Sequence, residues 1–198
     1  MHSVVRLEQE IDAASLPPTA ARSVLAIHNH YQRPGGEDQV FADETALLEE
    51  KGCKVVRYEE HNRRISSGGI VAGVNTVWSM GSFRRLRNVM RSTRFDIAHF
   101  HNTFPLVSPA GYYAARKSGL AVVQTLHNFR LICPGATLFR GGKVCEECVD
   151  RGSLAPSIIH SCYRQSRPAT AAVTAMLTTH RAAGTWDRAV ELYIADNQ

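Results

Sequence analysis

The sequence predicts an α/β protein built on an open parallel sheet with helices on both faces. Three observations carry that prediction. From Ser23 onward, short apolar runs of strand length alternate with longer stretches of helical periodicity, the pattern of strands joined by crossover helices. Three of the helical stretches stop at a glycine, Gly52, Gly119 and Gly184, which can take the left-handed conformation that ends a helix. The unit from Ser23 to Tyr58 has the ~30 or more residues that a strand–helix–strand crossover takes.

The elements follow in order. Residues 1–22, with Pro17-Pro18 near their end, show no periodicity and read as a loose leader. They carry acids where a signal peptide needs an apolar stretch. SVLAIHNH (23–30) is a buried strand whose polar C-terminal end opens onto a site. A glycine loop, Tyr31 to Glu37, leads into a helix from about Asp38 to Lys51, with Val40, Phe41, Leu47 and Leu48 on one side. KVVRY (54–58) is the second strand. Gly68 to Met80 is apolar but interrupted by glycine, and Ser82 to Arg94 is a helix with Phe83, Leu86, Val89 and Met90 on one arc. Arg84, Arg87, Arg91 and Arg94 share the opposite arc, either as a solvated face or as a face for anionic membrane. FDIAHFH (95–101) is the third strand, 109–118 a short helix and LAVVQTL (120–126) the fourth strand. An insert at about 129–165, with a hairpin near Gly141-Gly142, precedes a helix over Ala169 to Ala183 and a last strand, Leu192 to Ala195.

A length of 198 residues suits one domain, here 23–198, and 44% apolar with 21% charged residues suits a folded soluble chain. The net charge of +5 and a pI near 9.1 favour anionic partners. No run approaches the ~18 apolar residues of a spanning helix, so the expected location is cytoplasmic. Thiols stay reduced there, which turns a cysteine cluster toward metal rather than disulfide.

Open α/β sheets bind ligands outside the C-terminal ends of their strands. Here those ends deliver His28, Asn29 and His30, then His99, His101 and Asn102, then His127 and Asn128. His28 and His99 lie inside strands and read as core or rim groups. His101 and His127 are the candidates for contact with a sugar hydroxyl or a diphosphate, because neutral imidazole both donates and accepts. Gly35, Gly36 and Glu37 stand between the first strand and its helix, where a backbone without side chains can approach an anion; a plain turn is the alternative. The loop lacks G-x-G-x-x-G and the Lys-Ser/Thr of a P-loop, so neither NAD nor ATP hydrolysis is expected.

Cys133, Cys145, Cys148 and Cys162 form C-x11-C-x2-C-x13-C. Four thiolates so spaced suit a structural zinc that closes an insert with little core of its own. Paired disulfides and free thiols are the alternatives, and His160 could replace Cys162; Cys53 reads as simply buried. A zinc-stabilised nucleic-acid or protein-binding module is the competing function. Its arginines are not interleaved with stacking aromatics and no binding motif for RNA or DNA is present, so no nucleic acid is expected.

PGGEDQVFADETALLEEKGCKV, FDIAHFHN, VVQTLHNFRLICPGATLFRGGKVCEEC and ELYIADNQ together resemble the N-terminal domain of family-4 glycosyltransferases. The third piece is the most specific. The resemblance, from Ser23 to Ala195, implies a Rossmann-like domain forming the N-terminal half of a GT-B architecture, and retaining hexosyl transfer from a nucleotide-sugar donor to a carbohydrate or lipid-linked acceptor. It implies that Gly35 and Gly36 face the interdomain cleft near the donor diphosphate, with Glu37 opening the helix behind them. His127 would contact the transferred sugar, Asn128 beside it, while His101 and Asn102 line the acceptor side. The family's C-terminal domain, with an acidic pair spaced E-x7-E, is missing from these 198 residues, so the chain alone is expected to be inactive.

Overall fold

A computed structural model describes residues 22–31, 35–62 and 70–195; the leader expected over 1–22 lies outside them except for Arg22. The chain forms β1 (Ser23–His30), α1 (Gly36–Glu50), β2 (Lys54–His61), α2 (Ile70–Val77), α3 (Met80–Ser92), β3 (Ile97–Phe100), α4 (Ala110–Lys117) and β4 (Ala121–Leu126). An insert follows, with the hairpin strands β5 (Phe139–Arg140) and β6 (Lys143–Val144) and the short helices α5 (Glu147–Asp150) and α6 (Ala155–Ile159). It leads to α7 (Arg167–Ala182), α8 (Thr185–Arg188) and β7 (Leu192–Ala195).

Five strands make one parallel sheet in the order β2-β1-β3-β4-β7. The chain steps outward from β1 to β2, then returns past β1 to β3. That reversal makes the crevice between the C-terminal ends of β1 and β3 the switch point of the sheet. Right-handed crossovers put α1 on one face and the helices of the later connections on the other.

The main core lies under α3 and α4. Leu25 and Ile27 of β1, Ala98 and Phe100 of β3 and Val122 of β4 pack with Leu86, Met90, Tyr112, Ala114 and Ala115. Alternation along a strand sends the intervening residues to the α1 face. Those include His28, His30, His99 and Thr125, and continuing the alternation places His101 and His127 there as well. His28 stacks on Phe41 of α1, ring centroids 4.8 Å apart. A second apolar cluster, Phe104, Leu154, Val173, Met176 and Leu177, ties the insert to α7.

Three expectations change. The stripe on α1 is not apolar: Leu47 is 53% exposed, and the helix buries Phe41 and Thr45. The strand residues on the α1 face include histidines and a threonine toward their C-terminal ends, so a greasy helix face would leave those ring nitrogens unsatisfied. The apolar segment ending at Met80 contains a helix, α2, that packs along α7. The basic arc is narrower than the pattern implied, because Arg94 lies past the end of α3 and Arg87 donates to Ser118 Oγ at 2.9 Å. The remaining elements agree, including the hairpin turn, where Gly141 (φ 59°) and Gly142 (φ 81°) both take positive φ, as a two-residue type I′ connection requires.

Candidate functional site

The switch point is organised by Glu37, the second residue of α1. Its Oε1 accepts from Asn128 Nδ2 at 2.7 Å and its Oε2 from Asn102 Nδ2 at 3.3 Å. One carboxylate thus joins the ends of β3 and β4 to the start of α1. Burial pushes the Glu37 carboxyl above its ordinary range, although the Asn128 hydrogen bond pulls the other way. Asn102 also donates to Asn29 O at 2.9 Å and accepts from the Phe104 amide at 2.9 Å. Asn128 Oδ1 accepts from the Arg130 amide at 2.9 Å. Each asparagine is therefore spent in fixing a turn as well as facing the crevice.

His101 is 3% exposed and His127 half-buried; His101 Nδ1 and His127 Nε2 stand 3.3 Å apart with their rings stacked. Burial, with the neighbouring histidines adding to it, lowers His101 to a pKa of about 2. Burial also takes His99 and His28 to about 4 each. These three buried imidazoles are neutral at physiological pH and can donate, accept or ligate.

The pocket at this crevice is lined by Tyr31, His101, Asn102, Phe104, Gln124, Thr125, His127, Asn128 and Arg130, among others. Tyr112 OH donates to Gln124 Oε1 at 2.7 Å, and Gln124 Nε2 donates to the His101 carbonyl at 2.9 Å, which fixes its floor. Arg130 lies over the rings of Phe104 and Tyr163, 4.6 and 5.2 Å from their centroids, and donates to the Pro134 carbonyl. It brings a fixed cation to the pocket edge.

Gly35 precedes α1 with extended backbone (φ −138°, ψ −177°), and its amide donates to Asp38 Oδ2 at 2.8 Å. An added Cβ there meets nothing within 4 Å. Gly35 therefore leaves the helix start open, with its amide already engaged; residues 32–34 of the expected loop lie outside the described residues. Asp38 also accepts at Oδ1 from His28 and His30, at 2.9 and 2.6 Å. Burial would raise its carboxyl, but these hydrogen bonds outweigh it and keep it low.

The structure thus brings together Glu37, His101, Asn102, His127 and Asn128, with Gly35 and Gly36 at the entrance to the helix beside them. The four cysteines form a separate group. Cys133, Cys145, Cys148 and Cys162 line one small pocket in the insert, all free and half-buried, and Cys133 and Cys162 flank Gly135. Among the described residues, their sulfurs do not close into a set within 4.8 Å of one another, whereas three histidine–carboxylate groups do. His160 pairs with Glu147 at 3.7 Å.

Sequence reasoning missed Tyr31, Asp38, Glu44, Thr125 and Arg130. Asp38, Phe41 and Thr45 recur at helical spacing, and reading that row as a polar face would have found the cover of the histidines. Arg130 carried no periodic signal, because its place depends on the turn after β4.

The sequence matches the family model described as Glycosyltransferase Family 4 over residues 20–144, more than half the chain. The chain belongs to glycosyltransferase family 4. The family-4 match runs from just before β1 to the end of β6, so Cys145, Cys148, His160 and Cys162 fall beyond it while every other predicted site residue lies inside. No curated protein sequence matches the chain. Among solved structures, an aspartate aminotransferase from Rhodobacter sphaeroides 2.4.1 is similar at 14% identity and a TM-score of 0.34, over 85% of this chain and 43% of that one. The chain spans less than half the length of that protein. No helix among the described residues is long and apolar enough to cross a membrane.

Proposed function

We propose that this family-4 domain is the acceptor-side half of a retaining glycosyltransferase, moving a hexose from a nucleotide-sugar donor to a carbohydrate or lipid-linked acceptor. The observation that carries the reading is the convergence of Glu37, Asn102, Asn128 and His127 on the switch point of a family-4 sheet. His127 contacts the transferred sugar, and Asn102 and His101 line the acceptor side. Arg130 and the edge at Gly35 and Gly36 face the donor diphosphate, a guanidinium being suited to phosphate oxygens. Glu37 positions the two asparagines. No carboxylate nucleophile is assigned, since in front-face transfer the leaving diphosphate itself can take the acceptor proton. The four cysteines share one pocket of the insert and, drawn closer together, would hold a structural zinc bracing it against α7, tetrahedral thiolate ligation being a closed, non-catalytic arrangement.

Binding tests the site directly. Nucleotide sugars titrated into the whole chain, followed by ligand-detected NMR, should show contacts concentrated on the sugar and diphosphate. His127→Ala and Arg130→Ala should each weaken binding by about ten-fold, the loss of one hydrogen bond to a charged or sugar group. No contact with any nucleotide sugar, or variants that bind like wild type, would overturn the assignment.

A further inference from the structure

A second chemistry lies behind the histidine pair. Glu44 projects from α1 toward His99 and His101 at the end of β3. Glu44 Oε2 is 3.3 Å from His101 Nε2 and 3.8 Å from His99 Nε2, and these donors all fall within 4.8 Å of one another. Metal–ligand distances of ~2.0–2.2 Å in tetrahedral geometry separate neighbouring donors by about 3.4 Å. The observed spacings bracket that value.

The direction of His101 is the deciding detail. Its side chain has no solvent exposure, yet Nε2 makes no hydrogen bond, so the ring axis misses the Glu44 oxygen despite the short distance. A hydrogen bond needs the N–H aimed at the acceptor. Chelation instead needs two lone pairs aimed at a third point between them. The other histidine–carboxylate groups on this face behave differently: His30 uses both ring nitrogens, toward Asp38 and Glu59 at 2.6 Å each. In those groups each ring nitrogen of His28 and His30 facing a carboxylate is hydrogen-bonded to it, and the one buried ring nitrogen without a partner, His28 Nδ1, is not the one that faces Asp38.

We propose that Glu44, His99 and His101 form a binding site for a first-row divalent transition cation, zinc being the best match to two imidazoles and one carboxylate. The donor set is the three-ligand kind that leaves a position open. Thr125 Oγ1, 2.8 Å from His99 Nε2 and 3.4 Å from Glu44 Oε2, stands where a fourth oxygen or a water would complete the shell. Burial keeps both imidazoles unprotonated, the form that ligates. With Nε2 on the ion, His101 carries its proton on Nδ1 and donates it toward His127 Nε2, 3.3 Å away. The cation is thereby linked, through one ligand, to the histidine at the crevice. This site requires neither the transferase reading nor the cysteine zinc.

Cobalt(II) titration of the reduced, metal-stripped whole chain separates the two metal sites. The histidine–carboxylate site should give ligand-field absorption without thiolate charge transfer, and the cysteines the charge-transfer band. Glu44→Gln and His99→Gln should each weaken the sulfur-free site by about ten-fold or more and leave the thiolate band in place, with circular dichroism confirming the fold. Wild-type protein whose cobalt spectrum is wholly thiolate in origin overturns the site, as does a folded Glu44→Gln with unchanged affinity. Should both variants fail to fold, zinc titration of wild-type protein decides by NMR of the ring nitrogens: His99 and His101 must shift, and no shift overturns the site.

Discussion

At the scale of residues, the site is a layer of histidines, three of them buried, under a polar helix, and its energetics depend on protons. His28 and His99 have pKa values lowered to about 4 and His101 to about 2, from an ordinary 6.5, chiefly by burial. The unfolded chain takes up protons below that ordinary value while the native chain does not. Their contribution is therefore complete above about pH 6.5 and is lost as the pH falls toward 4 for His28 and His99 and on toward 2 for His101. Each histidine adds a slope of up to ~1.4 kcal/mol per pH unit in that window. Glu37, raised by burial, works in the opposite direction, as one group against three. Urea unfolding of chelator-treated protein should show stability dropping steeply through this range, and His99→Gln should flatten the slope by about one proton. Stability that is flat or rising on acidification would contradict the burial of these rings.

At the scale of elements, packing decides what each helix can tolerate. In α4, Gly111 lies so close to the sheet that an added Cβ would meet Phe100 Cε1 and Val107 Cγ1 at 2.9 Å, both residues fully buried. Gly111→Ala should cost about 1–3 kcal/mol through overpacking, read as a lower urea midpoint with an unchanged slope. Gly35→Ala is the control, with open space around it and an extended φ, and should stay within ~0.5 kcal/mol of wild type. Equal stability of the two variants would mean that α4 and β3 are less tightly apposed than these distances indicate. The same logic explains α1. A helix is amphipathic with respect to what it covers, and α1 covers imidazoles. Its inward row therefore offers Asp38, Phe41, Glu44 and Thr45, which bond, stack on or pair with the rings and their neighbours.

At the scale of the whole molecule, the strand order β2-β1-β3-β4-β7 places one crevice at the point where the winding reverses. All the candidate sugar-contacting groups open onto that one end of the sheet. On the proposed reading, these groups line the acceptor side and only the edge of the donor site. That reading predicts no sugar transfer from nucleotide-sugar donors by these residues alone. Robust turnover by the chain alone, followed by product chromatography, would show that these residues suffice.

The alternation of apolar runs and helical stretches determined the parallel sheet, the position of nearly every strand and the stops at Gly52, Gly119 and Gly184, because these rest on period, chain reach and backbone conformation. The strand-end histidines and asparagines were legible for the same reason: in such a sheet, the polar residues after an apolar run have a fixed address. Tertiary structure decided which of them meet. Glu37 joining Asn102 and Asn128, Glu44 reaching His99 and His101 and Arg130 arriving at the pocket all bring together groups distant in sequence. Such contacts depend on strand order, on which face a helix covers and on how a turn aims one side chain, and no local periodicity encodes those three.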